Sequence, residues 1–199
     1  MILLTGGSGL LGRHLTLEAD RPTHQDLDIT QPIAPKKYDL IVHGAAYTDV
    51  QGAESNQKGC FDVNVNGTLN LLVAYPNTPF VYISSEYAHN PVNFYSLTKY
   101  FAEELVKRHP NHLIFRTLFK KTPWPFDKAF IDQFTQGDEV TIIAPLIEKA
   151  IMDWNRKGKS LAYIGTGRKR VYDIAIKSKP NVIPNSIKDM KVPIPADYQ

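Results

Sequence analysis

The chain begins Met-Ile-Leu-Leu and then reads Thr-Gly-Gly-Ser-Gly-Leu-Leu-Gly over residues 5–12. A short apolar run that stops at a glycine cluster is a buried strand entering a sharp turn. Glycine costs backbone entropy, so such a turn needs a use for bare backbone. A strand, a glycine turn and a helix start together form an anion site, because unpaired amides and the helix dipole face the loop mouth. At the first strand of an alternating α/β chain, that arrangement cradles a dinucleotide diphosphate. The competing reading is a tight strand-to-helix turn with no ligand.

The rest of the chain supplies the alternation. After the strand at 2–5, a helix is expected over 10–18 and a clipped second strand near 19–22. Further strands are expected over 39–43, in Pro-Phe-Val-Tyr-Ile-Ser-Ser (79–85) and in His-Leu-Ile-Phe-Arg-Thr (112–117). Apolar residues at helical spacing predict helices over 56–75 and 95–109, each closed by a proline. Strands separated by helices imply βαβ units and a doubly wound parallel sheet, a Rossmann-like α/β fold. Residues 1–117 read as the dinucleotide-binding domain. Lys-Lys-Thr-Pro-Trp-Pro-Phe (120–126) then breaks the pattern, and 118–199 reads as a reduced C-terminal substrate lobe. In that lobe helices are expected over 127–136, 145–157 and 171–178, with short strands at 139–142 and 161–163.

The net charge is +3 with the lysines scattered, which argues against a nucleic-acid surface. No apolar stretch reaches membrane-spanning length, and the opening residues read as a strand rather than a leader. One cysteine, Cys60, leaves no internal disulfide and fits a reducing, cytoplasmic setting; its apolar neighbours make it a core residue. The histidines show no metal-ligand spacing, so no metal is expected. A homodimer is the base-rate expectation for assembly.

Two residues carry candidate chemistry. Tyr95 and Lys99 lie four apart on an expected helix and so share a face. Bringing a phenol from a pKa of about 10 to neutrality takes about 4 kcal/mol, much of which a neighbouring ammonium supplies in a dry cleft. Ser84 and Ser85 end the strand expected beside the first one, at the sheet edge where open α/β folds place ligands. A hydroxyl, a phenol and an ammonium thus converge on one edge.

The glycine spacing (6, 9, 12) and the set Ser85, Tyr95, Lys99 resemble the short-chain dehydrogenase/reductase superfamily. Within it, His-Gly-Ala-Ala-Tyr-Thr-Asp-Val-Gln-Gly-Ala-Glu (43–54) resembles the signature of dTDP-4-dehydrorhamnose reductases, with Gln51 in place of an acid. Asn64, the Ile-Ser-Ser-Glu-Tyr-Ala segment and Phe115–Thr117 also fit. The resemblance implies NADP or NAD held by Gly6, Gly9, Leu10, Leu11, Gly12, Arg13, Asp28, Ile29, Ala45, Ala46, Tyr47 and Lys99. It implies a nucleotide-sugar substrate touched by Thr48, Val50, Glu86 and Trp124, with Ser85 holding the C4 carbonyl and Tyr95 giving the proton. With the second strand's tip placed near Thr23 and His24, the cofactor leans to NADP; a strand ending at Asp20 reverses that. Asp28 equally reads as a turn acid over Thr30 and Gln31.

The resemblance weakens after Thr117, where the expected Ser-Trp-Val-aromatic-Gly run is absent, and members of that family run longer. Trp124, Phe126 and Phe130 are stacking candidates or lobe core. Arg168, Lys169 and Arg170 read better as a solvated basic turn than as a diphosphate clamp. Glu86 is followed by Tyr87 rather than by a second acid, which disfavours a sugar dehydratase. A nucleotide-sugar epimerase and a non-catalytic NAD(P)-binding regulatory subunit remain as alternatives.

Overall fold

A computed structural model describes residues 1–198. Its first half contains β1 (Ile2–Thr5), β2 (Ala19–Asp20), β3 (Leu40–His43), α1 (Gly52–Ser55), α2 (Gln57–Phe61), α3 (Gly67–Ala74), β4 (Phe80–Ile83), α4 (Phe94–Val106) and β5 (His112–Thr117). Its second half contains β6 (Phe119–Lys120), β7 (Lys128–Phe130), β8 (Phe134–Thr135), β9 (Asp138–Glu139), α5 (Val140–Asp153), β10 (Lys159–Ile164), β11 (Lys169–Arg170), α6 (Val171–Ser178) and β12 (Ile183–Asn185).

The main sheet runs β10-β5-β4-β3-β1-β2, and every neighbouring pair is parallel. This is the expected doubly wound, Rossmann-like α/β arrangement. Successive strand residues point to opposite faces. Leu4, Val42, Val81 and Phe115 face α5, which contributes Val140, Ile143, Ile147 and Ile151. Leu3, Ile41, Phe80 and Ile114 face the other way, onto Leu71 of α3 and onto Ala102 and Val106 of α4. Both faces are covered, as an all-parallel sheet requires. The boundary expected at 117–118 is crossed twice, since α5 covers one face and β10 becomes the edge strand beside β5.

Several elements depart from expectation. The helix expected over 10–18 is a single turn, closed by bonds from Arg13 N to Gly9 O (3.1 Å) and Leu15 N to Leu11 O (3.2 Å). Arg21 ends it by donating to the carbonyls of Gly12, Leu15 and Leu17 at 2.6, 2.8 and 3.0 Å. Strand β2 stops at Asp20, so its tip is not at Thr23 and His24. The 127–136 segment forms the short strands β7 and β8 instead of a helix. Residues 140–142 begin α5 rather than a strand: the β-branched Val-Thr-Ile-Ile run favours extended backbone, but burial at 140, 143, 144, 147 and 151 follows a helical face and prevails.

Between α2 and α3 the backbone stays helical but winds wide over Asp62–Asn66, where Gly67 N bonds Asp62 O in the i→i−5 manner of a π turn. Ahead of that turn Cys60 is buried against Tyr95; beyond it Leu71 is buried against the sheet.

Candidate active site

A cleft of about 590 Å³ runs along the carboxyl ends of the central strands. That is where open α/β sheets take ligands, and the size suits a cofactor. Gly6, Gly9, Leu10, Leu11 and Gly12 form one wall, Ala45, Ala46 and Thr48 the floor, and Asp28 and Ile29 one end. Phe119–Lys121 with Pro125 and Phe126 complete the lining.

The glycines are first needed by the loop itself. Gly6 has φ +72°, in the left-handed region. A Cβ on Gly12 would lie 2.3 Å from the Gly6 carbonyl oxygen. A Cβ on Gly9 meets only that oxygen, at 3.1 Å, and otherwise opens into free space. The amides of Leu10, Leu11 and Gly12 make no backbone bond among the described residues. Free donors beside a side-chain-free surface fit a diphosphate. The one-turn helix supplies little dipole to help them.

A buried polar chain fixes the floor. Thr68 Oγ1 donates to Asn64 O (2.7 Å), so it accepts from His43 Nε2 (3.0 Å). Thr5 Oγ1 accepts from Ala45 N (3.3 Å) and donates to His43 Nδ1 (2.7 Å). His43 is therefore the neutral Nε2–H tautomer, and burial pulls its pKa down to about 3. Asn64 clamps the Tyr47 backbone from both sides, accepting from its N–H (2.8 Å) and donating to its carbonyl (3.2 Å). Its amide also donates to Thr98 on α4 (3.0 Å), tying the floor loop to the Tyr95 helix.

Ser85, Tyr95 and Lys99 come together at the end of β4 but do not line the cleft. The α4 helix that carries two of them starts at an Asn93–Ser96 capping box. Tyr95 is 9% exposed and Lys99 2%. Burial pushes the Tyr95 phenol up to about 12, opposed by the neighbouring Ser85 hydroxyl. Lys99 does not tune it downward. Its ammonium donates to the Ile83 carbonyl at 2.9 Å and sits 4.3 Å from the Tyr82 ring centroid. Burial pulls Lys99 down to about 7, with Glu103 opposing. Ile83, whose carbonyl Lys99 holds, is itself a cleft-lining residue, which links the set to the cleft through β4.

Other expected site residues lie elsewhere. Tyr47 and Val50 pack on the buried Tyr87–Tyr95 cluster. Arg13 borders an adjacent cleft with Ser8 and Lys121. Trp124 is lobe core: its indole donates to Lys128 O (3.1 Å) and its ring backs Phe126, which faces the cleft in its place. Glu86 is 2% exposed and accepts from Thr135 Oγ1 (2.5 Å) and Gln136 N (3.2 Å), which staples the turn after β4 to the segment at β8. Burial pushes it up to about 7. Asp28 accepts from Thr30 N (2.9 Å) and Thr30 Oγ1 (2.7 Å), the turn-acid role, while lining the cleft. Asp20 accepts from the Tyr38 hydroxyl. Arg168, Lys169 and Arg170 are paired with Asp197, Asp138 and Asp173. Lys120 and Lys121 also line the cleft; the sequence shows them as a Lys-Lys pair three residues past the expected strand end at Thr117.

Among the described residues no group of three His, Cys, Asp or Glu side chains is placed to hold a metal, and no helix is long and apolar enough to cross a membrane.

The chain resembles known proteins in both sequence and shape. A dTDP-4-dehydrorhamnose reductase of Mycobacterium tuberculosis is 35% identical over 99 residues, covering 43% of this chain and 33% of that protein. The chain thus spans about a third of that relative's length. The structure of a dTDP-4-dehydrorhamnose reductase from Clostridium acetobutylicum superposes with a TM-score of 0.84 at 24% identity, over 99% of this chain and 88% of that one. One from Bacillus anthracis, in complex with NADP, gives 0.82 at 24% identity over the same shares. The RmlD substrate binding domain family matches residues 1–146. The chain belongs to the RmlD substrate binding domain family.

Proposed function

We propose that the chain is an NADPH- or NADH-dependent reductase of a nucleotide-linked 4-keto-6-deoxysugar. The observation that carries this is the glycine-lined cleft together with the Ser85–Tyr95 pair, which is joined to cleft-lining Ile83 through β4 and the Lys99 bond to the Ile83 carbonyl. The names of the similar proteins support the substrate class, and the NADP complex of the Bacillus anthracis protein supports the cofactor.

The glycine loop would hold the diphosphate, and Asp28 and Ile29 would flank the adenosine end. A bound nicotinamide supplies the hydride. Ser85 would hold the ketone oxygen through its hydroxyl. Tyr95, with its pKa pushed up to about 12, is fully protonated at neutral pH and suits the role of donor to the alkoxide oxygen. Lys99 would orient the phenol's helix by its bond to Ile83 O. Strand β2 ends at Asp20, the position whose acid favours NADH, and the Tyr38 hydroxyl takes only one oxygen of that carboxylate; the NADP complex of the Bacillus anthracis protein supports NADPH, so both nucleotides belong in the assay.

The test is NADPH consumption with dTDP-4-dehydrorhamnose, followed by absorbance and product analysis. Stoichiometric oxidation is expected, and Tyr95→Phe should abolish it while leaving NADPH binding intact. The burial of Tyr95 and Lys99 favours a second reading, a dinucleotide-binding protein without turnover. Tight NADPH binding with no keto-sugar reduction would establish that reading instead. Sugar interconversion with no net cofactor loss would indicate an epimerase.

A further inference from the structure

Lys120 and Lys121 line the same cleft as the glycine loop, and Lys121 also borders the adjacent cleft with Ser8, Leu10 and Arg13. They sit on β6 and just after it, and β6 pairs with β9 at Phe119–Asp138 and Lys120–Glu139. The pairing with β9 anchors the backbone that bears them. Neither has a carboxylate partner among the described residues. Glu139 stands opposite Lys120 in that pairing but forms no ion pair with it, and Asp138 is taken by Lys169 at 2.9 Å and Lys177 at 3.5 Å. Lys120 is half-buried, its ammonium 5.9 Å from the Trp124 ring centroid. Burial lowers its pKa and no carboxylate opposes the shift.

Holding an unpaired ammonium half out of water is costly unless an anion completes the site. The cleft has no acid at that end: Asp28 is the one carboxylate among its lining residues, and it stands with His24 at the other. Arg13 adds a third cation where Lys121 borders both the main cleft and its neighbour. The same cleft is lined by Leu10 and Leu11, whose amides are unbonded and have only a single helical turn behind them. The dipole that normally completes a diphosphate site is therefore weak here.

We propose that Lys120 and Lys121 close over the dinucleotide diphosphate held by the glycine loop, replacing with two ammonium groups the charge that the shortened first helix lacks. The proposal rests on the cleft being a dinucleotide site, as argued under the proposed function.

The test is the affinity of the intact chain for NADPH and NADH, read by cofactor fluorescence. Lys120→Gln and Lys121→Gln should each weaken both dinucleotides about tenfold, and the pair together about a hundredfold, as expected for lost charge-assisted contacts. Lys120→Arg should restore most of the binding. The dependence of affinity on salt should flatten in the double variant. Circular dichroism and the urea midpoint show that the variants fold. Unchanged affinity in a folded double variant overturns the proposal. So does weakened NADPH with unchanged NADH, because the lysines would then serve the 2′-phosphate. If the wild-type chain binds neither dinucleotide, the reading of the cleft itself fails, and the lysine clamp falls with it.

Discussion

Replacing Glu86 with glutamine should remove a pH-dependent weakness that the fold carries near neutrality. Glu86 is 2% exposed, and its pKa is pushed from 4.5 up to about 7 by burial, more than the bonds from Thr135 and Gln136 pull it down. At ~1.4 kcal/mol per pH unit, that rise corresponds to about 3 kcal/mol. For a carboxyl raised on folding, the stabilisation is complete below 4.5, where both states are protonated. It drains away as pH climbs through 7, because the unfolded chain ionises first. The wild-type curve alone hides this. His43, held down to about 3, gives stability that grows as pH rises toward 6.5, and Lys99, held down to about 7, gives stability that grows above 7. The difference between wild type and Glu86→Gln cancels both. Urea unfolding at half-unit steps from pH 4 to 8 should show the variant gaining about 3 kcal/mol on the wild type across that range. The variant's amide cannot accept from both Thr135 and Gln136, but that cost is the same at every pH. A flat difference curve would mean that Glu86 ionises as an exposed carboxylate does, and the burial argument would be wrong.

Two further substitutions test the frame around the cleft. Gly12→Ala places a Cβ 2.3 Å from the Gly6 carbonyl oxygen and 2.6 Å from Gly7 Cα, backbone that cannot step aside. It should cost more than ~3 kcal/mol in urea unfolding and abolish dinucleotide binding. Arg116→Met strands Glu103, which is fully buried and takes bonds from Arg116 at 2.6 and 2.9 Å and from Ser84 at 2.5 Å. The loss should be about 3–5 kcal/mol, and Arg116→Met with Glu103→Leu should recover a large part of it; a double variant as unstable as the single one would mean that the lost packing, not the stranded charge, sets the cost.

Where the sequence spoke through periodicity, it spoke clearly. The apolar four-residue strands and the long helical stripe of α4 are legible because burial on both sheet faces leaves no polar residue to interrupt them. The first helix was misread because its apolar pattern is real while its termination is tertiary: Arg21, beyond the segment, takes the carbonyls that would have propagated it. The strands at 128–130 and 134–135 are too short to establish a period and exist through partners distant in sequence, β12 and β11. At the site, the glycine loop was readable from spacing, and the meeting of Ser85 with Tyr95 from the strand's end and the family resemblance. The direction of the Lys99 side chain was not, since the same helical face serves a phenol, a carbonyl or a ring. Nor could the sequence separate Trp124 from Phe126, because which of two nearby aromatics is buried depends on the lobe packed behind them.

The wide turn at Asp62–Asn66 acts as a phase offset in a single rod. Each residue advances a helix by about 100°, so the extra residue rotates everything downstream by that amount relative to everything upstream. Shortening the turn by one residue would restore regular winding at the expense of alignment: Cys60 and Leu71 could no longer serve the phenol cluster and the sheet at once. Length is therefore fixed here even where side-chain identity is free, and a deletion should be punished more than any point change among Asp62, Val63 and Asn66.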